Sequence, residues 1–289
     1  MNKPNNLKTR IFLDGGIPEE TKEAIRILGF LDGQTTNPTL ITKHPSFLAC
    51  QEKGEKCSEL DGWKYYKEIV SEISPFVKDG SVSIEVYADL ITKTEDMIAK
   101  GEELFGWIPN AHVKLPITTE GLKAAEALVS QGIRVNMTLC FSQEQAAAVF
   151  AATRGAKKGD VFISPFVGRL DDRGENGMSL IENIINMYTI GDGHVEVLVA
   201  SVRSMDHFLR SLQLKADIIT SPFKILKEWK DMGMSIPKDD YQYKINNLKD
   251  IPYQELDLSK GWQEFNISHD LTDKGIERFS KDWNALITR

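Results

Sequence analysis

Cysteine is scarce. The chain has only Cys50, Cys57 and Cys140, and an odd number without zinc-type spacing argues against both a disulfide framework and a metal knuckle. Reduced thiols in a cytoplasmic setting are therefore the expectation. Histidine is sparse as well. His44, His194, His207 and His269 are scattered and leave no ligand set for a divalent Lewis acid, so neither a metal nor any other cofactor is expected. A basic excess is missing too: the net charge of -7 has the wrong sign for a partner with a phosphate backbone, and no nucleic acid is expected. No apolar run is long enough to cross a membrane, and the polar stretch from Met1 to Arg10 reads as neither signal peptide nor anchor. No GxGxxG follows the first strand, which weighs against an open dinucleotide-binding sheet. Internal repeats and low-complexity tracts are also absent.

What is present is an alternation. A length of 289 residues suits one large α/β unit. Strand one, Arg10 to Leu13, ends at Asp14-Gly15-Gly16, and Pro18 to Leu28 follows as a helix with acids in its first turn. Strand two lies near Gly29 to Thr35, then a brief helix over Leu40 to Leu48, an inserted loop at 49 to 60, and a helix from Asp61 to Phe76. Strands three to eight are read at Val82 to Tyr87, Ala111 to Pro116, Ile133 to Leu139, Val161 to Phe166, Val195 to Ser201 and Asp217 to Thr220. Helices over Thr92 to Phe105, Thr119 to Ser130, Ser142 to Thr153, Gly177 to Tyr188, Met205 to Leu212 and Pro222 to Trp229 separate and follow them. Eight such pairs imply a closed (β/α)8 TIM barrel over residues 1–230. Residues 231–289 read as a C-terminal extension packed on the barrel or on a neighbouring subunit, with Ile276, Phe279, Trp283 and Leu286 at helical spacing. A homo-oligomer is expected.

The centre of the pattern is Ala111-His112-Val113-Lys114-Leu115-Pro116. Strand residues alternate faces, so Lys114 shares a face with His112 and opposes Val113 and Leu115. A lysine is rarely buried without a partner or a purpose, and a desolvated amine is pushed toward the neutral form that adds to carbonyl carbon. The plainer reading is a lysine whose charged tip reaches the rim. Other strand ends tip the balance. Asp14 closes strand one, Asn37 follows strand two, Glu85 lies on strand three, Asn136 and Thr138 on strand five, Ser164 and Phe166 on strand six, and Ser201 ends strand seven. Barrels place chemistry at these carboxyl ends, and buried polar atoms need partners. An amine with the carboxylates Asp14 and Glu85 suits Schiff-base aldol chemistry without a metal, with one carboxylate moving a hydroxyl proton and Glu85 with Thr138 holding the water of imine formation. Arg169, Ser201 and Arg203 stand where barrels commonly seat a phosphate.

Taken together, Leu13-Asp14-Gly15, Thr35-Thr36-Asn37-Pro38-Thr39-Leu40, Ser83-Ile84-Glu85-Val86, His112-Val113-Lys114-Leu115-Pro116, Asn136-Met137-Thr138-Leu139, Ile163-Ser164-Pro165-Phe166-Val167-Gly168-Arg169 and Ala200-Ser201-Val202-Arg203 resemble the transaldolase family. The resemblance implies that Lys114 forms a Schiff base with a ketose phosphate and passes a dihydroxyacetone unit to an aldose phosphate in the pentose phosphate pathway. By the same resemblance Asp14 is the acid/base of carbon bond cleavage and Glu85 works with Thr138 through a water. Asn37, Asn136 and Ser164 hold hydroxyls, Phe166 is an apolar wall, and Arg169, Ser201 and Arg203 bind the phosphate. Arg169-Leu170-Asp171-Asp172 is similar to the shorter microbial branch, which includes fructose 6-phosphate aldolases that release dihydroxyacetone. Glu85 and Phe166 favour transfer, since the free aldolases tend to carry Gln and Tyr there. Val202 stands where Phe is common. A modified-ketose aldolase and a non-catalytic sugar-phosphate binder are the remaining alternatives.

Overall fold

Eight parallel strands close on themselves in the computed structural model, which describes residues 3–42, 44–52, 56–244 and 247–288. They are β1 (Arg10–Asp14), β2 (Gly33–Thr35), β3 (Ser81–Glu85), β4 (Ala111–Pro116), β5 (Val135–Cys140), β6 (Val161–Pro165), β7 (Val195–Val199) and β8 (Ile218–Ser221). Each pairs with its neighbours in chain order, and β8 returns to β1. The result is a (β/α)8 TIM barrel.

The outer ring contains α1 (Pro18–Leu28), α4 (Glu59–Ile73), α5 (Thr94–Phe105), α6 (Thr119–Ser130), α7 (Gln143–Ala152), α9 (Gly177–Tyr188), α10 (Met205–Gln213) and α11 (Phe223–Asp231). Local chemistry starts them. α1 begins with Pro18 and two acids, and the hydroxyls of Ser58, Thr118, Ser142 and Ser204 cap α4, α6, α7 and α10 by accepting backbone N–H groups that lack an intrahelical partner. Among the described residues no helix is long and apolar enough to cross a membrane.

Several boundaries differ from expectation. Strand two is shorter, because Gly29 closes α1 with a backbone N–H to the Ile25 carbonyl and the chain pairs only from Gly33. The helix expected over Leu40 to Leu48 is two short pieces, α2 (Pro38–Ile41) and α3 (Pro45–Glu52). Each begins at a proline, which suits the first position of a helix but not its interior. The expected loop at 49 to 60 therefore starts helical, and Cys57–Ser58 pairs with Ile287–Thr288; residues 53–55 lie outside the described ones. A short helix not expected, α8 (Val167–Asp171), follows β6. Cys140 is a free, buried thiol, whereas Cys57 is disulfide-bonded, so the expectation of reduced thiols throughout does not hold. An odd count leaves room for one bond.

The final helix, α12 (Asp270–Leu286), buries Leu271, Thr272, Gly275, Ile276, Phe279, Trp283 and Leu286, a stripe at the three-to-four spacing of an amphipathic helix. It lies against the carboxyl ends of the strands. Thr272 Oγ1 donates to the Leu139 carbonyl at 2.9 Å, and Thr39 Oγ1 donates to Asp282. Gly275 is where the helix comes closest: a Cβ there would stand 2.6 Å from the Leu139 side chain and 3.0 Å from Arg169 Nη1. At the other end of the stripe, Trp283 packs on Trp63 with ring centroids 4.6 Å apart.

Candidate active site

The interior of the barrel is polar at both ends, and register decides what meets what. Glu85, Lys114 and Asn136 are cross-strand neighbours on β3, β4 and β5, so all three stand level. The Lys114 amine donates to Glu85 Oε2 at 2.9 Å and lies 3.5 Å from the Thr36 carbonyl, and both side chains are nearly inaccessible. Burial pushes the Glu85 carboxyl above its ordinary range, with Asp14 adding to the rise and the Lys114 and Arg169 charges opposing it. A carboxyl so held is able to take a proton. Its backbone N–H donates to the Tyr66 hydroxyl at 3.0 Å. That hydroxyl sits 2.6 Å from Thr36 Oγ1. Thr36 already donates to the Ser83 carbonyl, so Tyr66 must donate to Thr36 and strand β3 is tied to α4.

One cavity of about 490 Å³ at the carboxyl mouth collects most of the expected residues: Asp14, Asn37, Lys114, Ser164, Phe166, Arg169, Ser201 and Arg203 all line it. Asp14 accepts from Thr35 Oγ1 at 2.8 Å, and Thr35 in turn meets Thr220 at 2.6 Å. Asn37 caps α2, its side-chain oxygen accepting from the Leu40 N–H. Asn136 and Ser164 form a ladder below the amine. Ser164 Oγ donates to Asn136 Oδ1 at 2.7 Å, and Asn136 Nδ2 donates to Ser83 Oγ at 3.0 Å. Thr138 is fully buried, and its hydroxyl has no hydrogen-bond partner among the described residues. Strand β5 is irregular just there, with a register shift between Met137 and Cys140 and a left-handed Leu139 at φ 61. Ser201 is left-handed as well, at φ 58. Non-glycine residues in this region cost energy and gather at functional sites.

The guanidiniums differ in their commitments. Arg203 is exposed and pairs with Asp172; it also lies across Gly168, where a Cβ would come within 2.5 Å of its Nε. Arg169 is half-buried between two rings, 5.5 Å from the Phe166 centroid and 5.6 Å from that of Phe279, and makes no hydrogen bond or ion pair with the described residues. Lys114 Nζ stands over the same two rings at 5.9 and 6.0 Å.

Among the lining residues not foreseen are two that come from the C-terminal helix rather than the barrel, Arg278 and Phe279 of α12. The helical spacing marked Phe279 only as core. His112 does face the barrel interior, but at the opposite end from the amine. Its Nδ1 is 2.7 Å from Ser81 Oγ and its Nε2 is 2.9 Å from the Gly159 carbonyl, and it stacks on Phe162. Among the described residues no group of three or more His, Cys, Asp or Glu side chains is arranged to hold a metal ion.

Residues 11–289 match the sequence model of the family described as Transaldolase/Fructose-6-phosphate aldolase. The chain belongs to the transaldolase/fructose-6-phosphate aldolase family. Relatives span its length: a probable transaldolase of Dehalococcoides mccartyi is 34% identical, covering 96% of this chain and 99% of its own. A probable transaldolase of Aquifex aeolicus is 37% identical over 96% of this chain and 97% of its own, and one of Thermoplasma volcanium is 36% identical over 96% of each. As a member of this family the chain is an enzyme, and its carboxyl-end cavity is the candidate active site.

Proposed function

We propose that the protein is a transaldolase that moves a dihydroxyacetone unit from a ketose phosphate to an aldose phosphate through a Schiff base on Lys114. The observation that carries this is a buried amine 2.9 Å from the Glu85 carboxylate, opening on a cavity whose other wall carries arginines. The ammonium gives a proton to Glu85, and the neutral amine adds to the ketose C2 carbonyl. Water leaves the carbinolamine, with the proton supplied by Glu85 and the water held by the Thr138 hydroxyl, which has no other partner among the described residues. Asp14 takes the proton of the C4 hydroxyl, the C3–C4 bond breaks, and its electrons flow into the iminium as the aldose phosphate departs. The enamine then adds to the acceptor aldehyde while Asp14 returns the proton. Hydrolysis of the new imine frees the product.

In this mechanism Asn37, Asn136 and Ser164 bind hydroxyls of the three-carbon unit, and Phe166 walls the amine off from water. Arg169, Ser201 and Arg203 take the phosphate, for which a bidentate guanidinium is well shaped. Sedoheptulose 7-phosphate and fructose 6-phosphate are the proposed donors, with glyceraldehyde 3-phosphate and erythrose 4-phosphate as acceptors in the non-oxidative pentose phosphate pathway. We place the reaction in the cytoplasm, treat residues 1–230 as the catalytic barrel and 231–289 as its extension, and expect a homo-oligomer.

The test is borohydride trapping with fructose 6-phosphate, followed by peptide mass analysis. A reduced adduct confined to Lys114, absent from Lys114→Ala, is the expected result. No adduct on Lys114 would make the protein a sugar-phosphate binder. Free dihydroxyacetone released from fructose 6-phosphate without an acceptor, at the rate of transfer, would make it an aldolase.

A further inference from the structure

The roof of the active-site cavity is α12, a helix that follows all eight strands in the chain. Its contacts with Leu139, Arg169 and Thr39 come from Thr272, Gly275 and Asp282. These positions lie at helical spacing on one side of the helix, and they fix which side meets the mouth. Arg278 and Phe279 fall between them and line the same cavity as Lys114 and Arg203. Phe279 is buried, closing the space above the amine. Arg278 is different: its side chain is 62% exposed, and Asp282 is 3.9 Å from its Nε, too far for a hydrogen bond.

The cavity therefore carries three guanidiniums, of which only Arg203 holds a carboxylate closely among the described residues, through Asp172. The groups sense one another. Burial, and after it the charges of Arg278 and Arg203, hold the Arg169 guanidinium below the usual arginine range. Like charges gathered around one concave space repel unless an anion joins them, and a dianion of phosphate size satisfies three forks better than two.

Given the sugar-phosphate transfer proposed above, we propose that Arg278 is a third arginine of the phosphate subsite, brought by the C-terminal helix, and that it sets the enzyme's preference for phosphorylated over unphosphorylated aldoses. Arg169 is fixed between two rings, whereas Arg278 is a long exposed side chain with one loose partner. It closes on the phosphate from the solvent side, leaving Asp282 to its bond with Thr39.

The experiment compares wild type, Arg278→Ala and Arg278→Lys on the full chain. It measures kcat/KM for glyceraldehyde 3-phosphate and for glyceraldehyde as acceptors with one saturating donor, and calorimetric binding of inorganic phosphate. Arg278→Ala is expected to lower the ratio of the two kcat/KM values about tenfold, the worth of one charge-assisted hydrogen bond, mainly through KM. It should weaken phosphate binding in parallel, with Arg278→Lys retaining most of both. An unchanged ratio and unchanged phosphate affinity in an active enzyme would overturn the role of Arg278 while leaving transaldolase activity standing. If wild type gives no transfer and no adduct on Lys114, the transaldolase proposal fails, and phosphate calorimetry alone still decides whether Arg278 binds the anion. The position is exposed, so the variants fold.

Discussion

The two ends of this barrel are both lined with charge, and they treat it in opposite ways. At the amino end Arg10 is 2.6 Å from Glu196, and His112 is bracketed by Ser81 and the Gly159 carbonyl. The carbonyl can only accept, so Nε2 carries the hydrogen and Nδ1 accepts from the serine. Burial keeps the ring neutral by pushing its pKa down to about 3. At the carboxyl end Thr138 has no partner and Arg169 no ion pair among the described residues, and the Glu85 carboxyl is raised above its ordinary range. Two left-handed residues, Leu139 and Ser201, add strain at that end. Polarity inside a barrel is therefore not itself a sign of chemistry; polarity left unsettled is.

The strongest way to break this contrast is to remove the amine. Lys114→Ala should lower kcat/KM for transfer by roughly 10⁴- to 10⁶-fold, the scale of deleting a covalent catalytic group, as read in a coupled steady-state assay. His112→Gln at the other end should leave turnover within a factor of two.

Stability should separate the ends next. Lys114→Met strands a buried carboxyl that folding already holds above its reference value of 4.5. A raised acid favours the protonated fold, so this contribution is full below the unfolded value and is lost as pH rises through the folded one. The variant should match wild type near pH 4.5 and fall behind with rising pH, by about 3 kcal/mol at pH 8, the usual cost of orphaning one member of a buried pair. Adding Glu85→Gln should restore most of it. Urea melts across pH would show a pH-independent deficit if the pair were not linked in this way.

His112 should give the opposite sign. Its folded pKa near 3 lies below the reference of 6.5, so it stabilises fully above 6.5 and the contribution is lost as pH falls toward 3. Wild type should carry up to about 1.4 kcal/mol per pH unit of slope from this one proton, and His112→Gln should flatten it. The smallest effect is expected for Thr138→Val, a slowing of imine formation by about tenfold, about 1.4 kcal/mol in barrier, seen in single-turnover trapping with little change in melting temperature.

Much of the barrel was legible because each strand and helix announces itself locally, by apolar runs, helix caps and prolines. The candidate site could be drawn because Asp14, Glu85, Lys114 and Thr138 fall toward strand ends, where the barrel rule assigns them one mouth. Face parity turned His112 inward correctly, but parity is silent about depth along a strand, and depth separates this bracketed histidine from the lysine two residues on that opens on the cavity. Strand two was drawn too long because Phe30 and Leu31 are apolar, yet they follow the Gly29 cap of α1 unpaired, Phe30 packs against Trp229, and the ladder starts only at Gly33. Arg278 and Phe279 were missed for a physical reason. On a helix stripe Phe279 is indistinguishable from packing, and an exposed arginine beside it is ordinary surface. Gly275 was the one available signal, since a glycine inside a helix costs about 1 kcal/mol against alanine and asks what approaches it.

That α12 roofs the cavity also fixes the order in which competence arrives during synthesis. The ribosome releases every strand of the barrel, and with them Lys114, Glu85 and Asp14, before it makes Arg278 and Phe279. A growing chain that stops short of α12 thus owns the buried amine but neither the Phe279 ring above it nor the Arg278 guanidinium proposed to clasp the phosphate. On the proposed function such a chain would be a poor catalyst by construction, and reactivity toward sugar phosphates would be withheld until α12 has been made.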